Sequence, residues 1–134
     1  MQLTDEFRAF LAAPRFAVIA TINPDGSPQQ SVIWYVLQGD QILLNTARGR
    51  IKTRNLERDP RVSLCVEDGY RYLTISGRVT LDDDQTIAQA DNMVLARRYM
   101  TPAEYGPWIE RFQQQQRVTL RLTIDTVVAY GFAE

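Results

Sequence analysis

Apolar and polar positions along this chain follow two rhythms, and the switches between them mark out its elements. Near the start, Phe7, Phe10 and Leu11 recur at helical spacing behind Thr4, Asp5 and Glu6. A hydroxyl cap followed by acids predicts a short helix to about Ala12. Phe16–Ile22 then reads as a strand, Asn23-Pro24-Asp25-Gly26 as a turn, and Gln29–Leu37 as a second strand. Gly39-Asp40 turns the chain again into a third strand, Gln41–Thr46. Strands joined by such short turns predict an antiparallel meander.

Beyond a basic segment and Asp59-Pro60, Arg61–Glu67 alternates as a half-buried strand. Asp68-Gly69 turns it into Tyr70–Val79, with Leu73, Ile75 and Val79 on one face and Gly77 between them. Helical spacing returns from Asp84 to about Met100, with Ile87, Val94, Leu95 and Tyr99 as inward candidates. A further helix is expected from Pro102 to about Gln115, since proline suits a first turn. Arg117–Ile124 alternates with a period of two, and Val127–Gly131 adds a last extended piece. Six or seven antiparallel strands in two groups, with helices between them, predict a small β-barrel with α additions. With 134 residues the chain can fill one core but not two, so a single domain over residues 1–134 is expected.

A net charge of −1 argues against a general binder of nucleic acid or anionic membrane, so any positive field must be local. Met1–Phe7 opens with acid and no long apolar stretch, so neither a signal peptide nor a membrane span is expected. The single Cys65 has no internal disulfide partner and is expected in the core, which fits a reducing cytoplasm.

The local field lies between Thr46 and Asn55, where Arg48, Arg50, Lys52 and Arg54 are framed by the hydroxyls of Thr46 and Thr53. Lys52 is the only lysine of the chain. A strand, loop and helix start carrying those groups offers a phosphate its charge, flexible donors and free backbone N–H groups. The competing reading is a solvated surface helix on which Glu57 pairs back to Arg54 or Arg58. Elsewhere the chain has no histidine, which removes the commonest general base and every Ser–His or Cys–His arrangement. Asp82-Asp83-Asp84 reads as a helix start with acids at the positive end of the dipole, in preference to a metal site. Enzymatic chemistry would then have to come from a bound redox cofactor.

Several of these pieces, taken in order and spacing, resemble one family over nearly the whole chain. They are Ala17–Thr21, Asp25-Gly26-Ser27-Pro28 with the strand after it, Arg50–Leu56, Asp59-Pro60 and Ser76-Gly77-Arg78. The family is the pyridoxamine 5'-phosphate oxidase-like, flavin-binding split-barrel proteins. Lys52-Thr53-Arg54-Asn55-Leu56 is most similar to the branch that uses the deazaflavin coenzyme F420 in place of FMN. The resemblance implies a homodimer with the cofactor in a groove at the subunit interface. It further implies that Gln30, Ser31 and Val32 line the ring, largely through backbone groups, and that Thr46, Arg50, Lys52 and Thr53 take the phosphate. The implied activity is hydride transfer from reduced F420 to a flat conjugated small molecule. An FMN-dependent reductase or oxidase and a non-enzymatic cofactor-binding protein remain the alternatives. The tail of F420 calls for cations at the groove mouth, for which Arg48 and Arg54 are candidates. The long carboxy-terminal extension of true pyridoxamine phosphate oxidases has no counterpart here, so that enzyme's own activity is not implied. Trp34, Tyr105 and Trp108 could wall a flat substrate by stacking on its ring, but core or dimer interface is the preferred assignment. Arg48–Arg61 lacks interleaved aromatics, so no nucleic-acid partner is expected.

Overall fold

In a computed structural model the chain is described over residues 3–133, so the expectations touching Met1, Gln2 and Glu134 lie outside the described residues. Helix α1 (Asp5–Ala12) starts where Thr4 Oγ1 accepts the Phe7 N–H at 3.1 Å, and it buries Phe10 and Leu11. Strands β1 (Ala17–Ile22) and β2 (Pro28–Ile33) form a hairpin whose turn is held by Asp25 Oδ1 accepting the Ser27 N–H at 3.0 Å. Strands β3 (Val36–Gln38) and β4 (Gln41–Ala47) form a second, separate hairpin.

The expected strand Gln29–Leu37 is therefore two strands, broken at Trp34-Tyr35. Helix α3 (Gln85–Tyr99) supplies the reason. The Tyr35 N–H donates to Tyr99 Oη at 3.1 Å, and its carbonyl accepts from Arg98 Nε at 2.9 Å. Its phenol, fully buried, donates to the Leu11 carbonyl at 3.1 Å. Side chains thus take the backbone groups that a ladder would have needed.

With β5 (Arg61–Glu67), β6 (Tyr72–Asp82) and β7 (Arg117–Tyr130), the strands make one seven-stranded antiparallel sheet in the order β2-β1-β5-β6-β7-β4-β3. The predicted meander is corrected by this order, since β2 and β3 lie on opposite edges. A flat sheet of this size would hold its edges about 29 Å apart, at ~4.8 Å per strand. The chain from Ile33 to Val36 reaches at most about 11 Å. The sheet must therefore curl until its edges meet at Trp34-Tyr35 without closing, which is the split barrel that the resemblance implies.

Inside the curl lie Ile19, Leu44, Leu64, Leu73, Ile75, Leu120 and Leu122, all fully buried. The two pieces expected after Gln116 are one strand, β7, bulged at Asp125: Ser76 pairs with Thr126 and Gly77 with Ile124. Gly77 allows this approach, because a Cβ there would stand 2.0 Å from the Thr123 carbonyl oxygen. Cys65 is not in the core. It lies on the outer face of β5, between the buried Leu64 and Val66.

Asp84 caps α3 by accepting the Thr86 N–H at 2.9 Å, as the acidic run predicts. The buried stripe of α3 is Ala88, Asn92, Leu95 and Ala96, while Ile87 and Val94 are exposed, contrary to expectation. The small alanines let the helix lie close on β4 and β7. Beyond it, the helix expected from Pro102 to Gln115 is interrupted. It runs as α4 (Pro102–Tyr105), a 3-10 turn at Gly106–Trp108 and α5 (Ile109–Gln114), because Pro107 has no N–H to continue the α ladder. No helix among the described residues is long and apolar enough to cross a membrane.

Candidate cofactor-binding site

Helix α2 (Ile51–Arg58) follows β4 through Arg48-Gly49-Arg50, where Gly49 takes a φ of 91° that favours glycine. No side chain caps the helix, and its first intrahelical bond runs from the Arg54 N–H to the Arg50 carbonyl at 3.1 Å. The N–H groups of Ile51, Lys52 and Thr53 are left for another acceptor. On its inner side the helix is pinned to β1 by Asn55 Nδ2, which donates to Thr21 Oγ1 and Asn23 Oδ1, each at 3.0 Å.

Lys52 is only 8% exposed, which contradicts the reading of solvated surface charges. Its ammonium donates to Ser31 Oγ on β2 at 3.3 Å and has no carboxylate partner among the described residues. Burial pushes its pKa below the ordinary lysine value, and the like charges of Arg50 and Arg117 push it further. Among the described residues no ion pair forms at Glu57, while Arg58 reaches the Asn55 side chain and the Ile22 carbonyl.

A groove of about 220 Å³ opens beside Lys52. Arg50, Lys52 and Arg117 line it together with Asn45 and Asn92, and no carboxylate among the described residues does. Its apolar walls include Phe16, Val32, Trp34 and Phe112. Trp34 lies parallel to Tyr99 at 5.3 Å between centroids, and Phe16 stacks on the same ring at 5.6 Å. A flat, conjugated molecule with an anionic group matches such walls and charges.

A model of the pyridoxamine 5'-phosphate oxidase family matches residues 3–130. The chain belongs to that family. It is similar, at 27% identity over 103 residues and 75% of each chain, to an F420H(2)-dependent biliverdin reductase of Mycobacterium tuberculosis (strain CDC 1551 / Oshkosh). Among solved structures it is similar to an F420 reductase, with a TM-score of 0.76 and 27% identity over 94% of this chain and 98% of the other. A conserved hypothetical protein of Mycobacterium tuberculosis superposes with a TM-score of 0.80 at 26% identity, covering 97% of this chain and 85% of that one.

In this member of the pyridoxamine 5'-phosphate oxidase family the expected site residues fall into three groups. Arg50, Lys52 and Val32 meet in the groove, and Ser31 touches it through Lys52. Gln30 is exposed two residues from Val32 on β2, an edge strand paired only to β1. Thr46 and Thr53 are fully buried, their hydroxyls 3.3 Å apart, and Thr53 donates to the Ala47 carbonyl at 2.9 Å. In this structure the two hydroxyls bracket the end of β4 against α2.

Three polar groove residues, Arg117, Asn45 and Asn92, went unread in the sequence. Arg117 is buried and donates to Asn45 Oδ1 at 2.9 Å and to Asn92 Oδ1 at 3.1 Å. Burial, then the charge of Arg50, pushes its pKa down to about 10, which leaves it charged at neutral pH. Pairing of Ala47 with Arg117 in the β4–β7 ladder sets it beside the basic loop. Only that long-range register could have revealed it.

Proposed function

We propose that this protein is an F420-dependent oxidoreductase that passes a hydride to a flat, conjugated small molecule. The observation that carries the reading is Lys52, a buried cation that has no counter-ion among the described residues, at a groove that three cations and, among those residues, no carboxylate line. Keeping such a charge buried is costly unless an anion completes it. The residues present fit the group, for the cationic side suits a phosphate and the aromatic side suits a ring.

In this reading Arg50 and Lys52 hold the cofactor phosphate, with the free N–H groups at the start of α2 beside them. Ser31 aims the Lys52 ammonium, and the bracket of Thr46 and Thr53 fixes the loop. Gln30, Ser31 and Val32 offer the ring the unpaired edge of β2. Phe16 and Trp34 wall the acceptor against that ring. Reduced F420, when bound, supplies the hydride from its C5 carbon. Among the described residues no carboxylic acid or histidine lines the groove, which leaves water or a bound hydroxyl to supply the product's proton. The names of two relatives, an F420 reductase and an F420H(2)-dependent biliverdin reductase, support F420 over FMN.

The same reading includes a homodimer. Val32, Val18, Cys65, Thr74 and Val128 stand side by side across the outer face of five adjacent strands. Val32 is 65% exposed and Val128 59%. A row of this length, apolar but for Thr74, is suited to cover by a second copy, which would bring the groove to the interface.

Fluorescence titration of the purified protein with F420 and with FMN tests the reading. F420 is expected to bind at least tenfold more tightly. Tighter binding of FMN by tenfold would replace the cofactor with a flavin, and binding of neither would end the assignment.

A further inference from the structure

Arg117 carries a charge that the phosphate does not account for. Its guanidinium, 5% exposed, meets only neutral oxygens: Asn45 Oδ1, Asn92 Oδ1 and Gln115 Oε1, the last at 2.6 Å. No carboxylate pairs with it among the described residues. Asn92 is 2% exposed, and its amide orientation is fixed because the oxygen must face the guanidinium. Asn92 Nδ2 is thereby left buried without a partner. A buried donor left unpaired costs stability, and this one lines the same groove as Arg117.

The charge count points the same way. Arg50, Lys52 and Arg117 bring three positive charges to the groove. The phosphodiester of F420 answers only one of them. The remaining planar donors, a guanidinium and a carboxamide, match the two oxygens of a carboxylate.

We propose that Arg117 and Asn92 form a second anion subsite, which binds the carboxylate of the hydride acceptor, so that the substrate is a conjugated carboxylic acid. The inference rests on reading the groove as the cofactor site, with Lys52 and Arg50 engaged by the phosphate. The acid group anchors at Arg117, and the conjugated body lies along Phe16, Trp34 and Phe112. A neutral amide of the same shape offers one carbonyl oxygen and no charge, so it would leave the cation unanswered.

The test compares 2-naphthoate with 2-naphthamide by calorimetric titration and thermal shift, on cofactor-free protein and on protein saturated with F420. The acid is expected to bind about tenfold to a hundredfold more tightly than the amide in both states. Asn92→Asp supplies a built-in carboxylate, so it should abolish the preference while raising Tm. Asn92→Leu should weaken acid binding several-fold. Lys52→Ala, which impairs the phosphate side, should keep most of the preference. Equal binding of acid and amide by the wild type overturns the proposal, whatever the variants do. So does a preference that survives Asn92→Asp and disappears in Lys52→Ala. A preference lost on saturation with F420 would place the cofactor's own tail carboxylates at Arg117 and likewise overturn it. Failure of F420 to bind appears separately in the cofactor titration, and the preference of the cofactor-free protein still decides the subsite.

Discussion

Lys52 Nζ donates to Ser31 Oγ at 3.3 Å, and this one contact ties helix α2 to the edge strand β2 across the groove. A lysine at the start of a helix ordinarily reaches into water. Here β2 closes over it, and its charge has no carboxylate partner among the described residues. Lys52→Ala should therefore lower F420 affinity roughly tenfold to a hundredfold, the effect of losing a charge-assisted bond of about 1.5–3 kcal/mol. Lys52→Arg should recover part of that loss, because a wide fork replaces a compact ammonium. Fluorescence titration at two salt concentrations checks both, and salt should weaken the wild type more than Lys52→Ala.

Stability should move the opposite way. Lys52→Met removes a buried, unpaired cation and keeps its apolar stem, so the cofactor-free protein should gain about 1 kcal/mol, roughly 3–5 °C in Tm. Because the folded state depresses the Lys52 pKa below 10.5, the folded protein releases that proton before the unfolded chain does. Wild-type stability relative to Lys52→Met should thus rise with pH through the window that ends near 10.5. Chemical denaturation of both proteins between neutral pH and that limit measures the gap. A gap that widened with pH would contradict the burial of the charge.

Arg98 gathers the break between β2 and β3. Its guanidinium donates to the carbonyls of Tyr35 at 2.9 Å and of Ala12, Leu11 and Ala13, each at 3.0 Å. Arg98→Ala should cost about 2–4 kcal/mol, and Arg98→Lys should recover little, since a single ammonium cannot span four acceptors. Urea denaturation gives the number.

Gly77→Ala should cost about 3 kcal/mol or more, because the new methyl would meet the Thr123 backbone where no side chain can yield. The bulge at Asp125 would have to re-register, so a drop in soluble yield and in denaturation midpoint is expected.

Val128→Asp places a charge at the end of the apolar row, far from Lys52 along the sheet order. As an exposed position it should change monomer stability by only about 0.5 kcal/mol. Sedimentation should nevertheless show the dimer expected of the wild type replaced by monomer. A wild type that sediments as a monomer with F420 bound would contradict the dimer directly.

Local periodicity and turn chemistry reached far in this chain. The strands, the cap at Thr4, the helix start at Asp84 and the basic loop around Lys52 depend on neighbours a few residues away, and the sequence displays those neighbours. So does the family, whose motifs are themselves local. Other features depend on contacts that exist only in the folded chain, some of them between residues 60 or more apart, and the tertiary structure alone decided them. Tyr35 leaves its strand because Tyr99 and Arg98 take its backbone groups. Cys65 faces outward because the register of β5 gives Leu64 and Val66 to the core. Thr46 and Thr53, read as phosphate donors, turn inward because α2 folds back onto β4. Arg117 reaches the groove only through its pairing with Ala47. Alternation tells which residues share a face, but the curl of the whole sheet decides which face is inside and which cation has no partner.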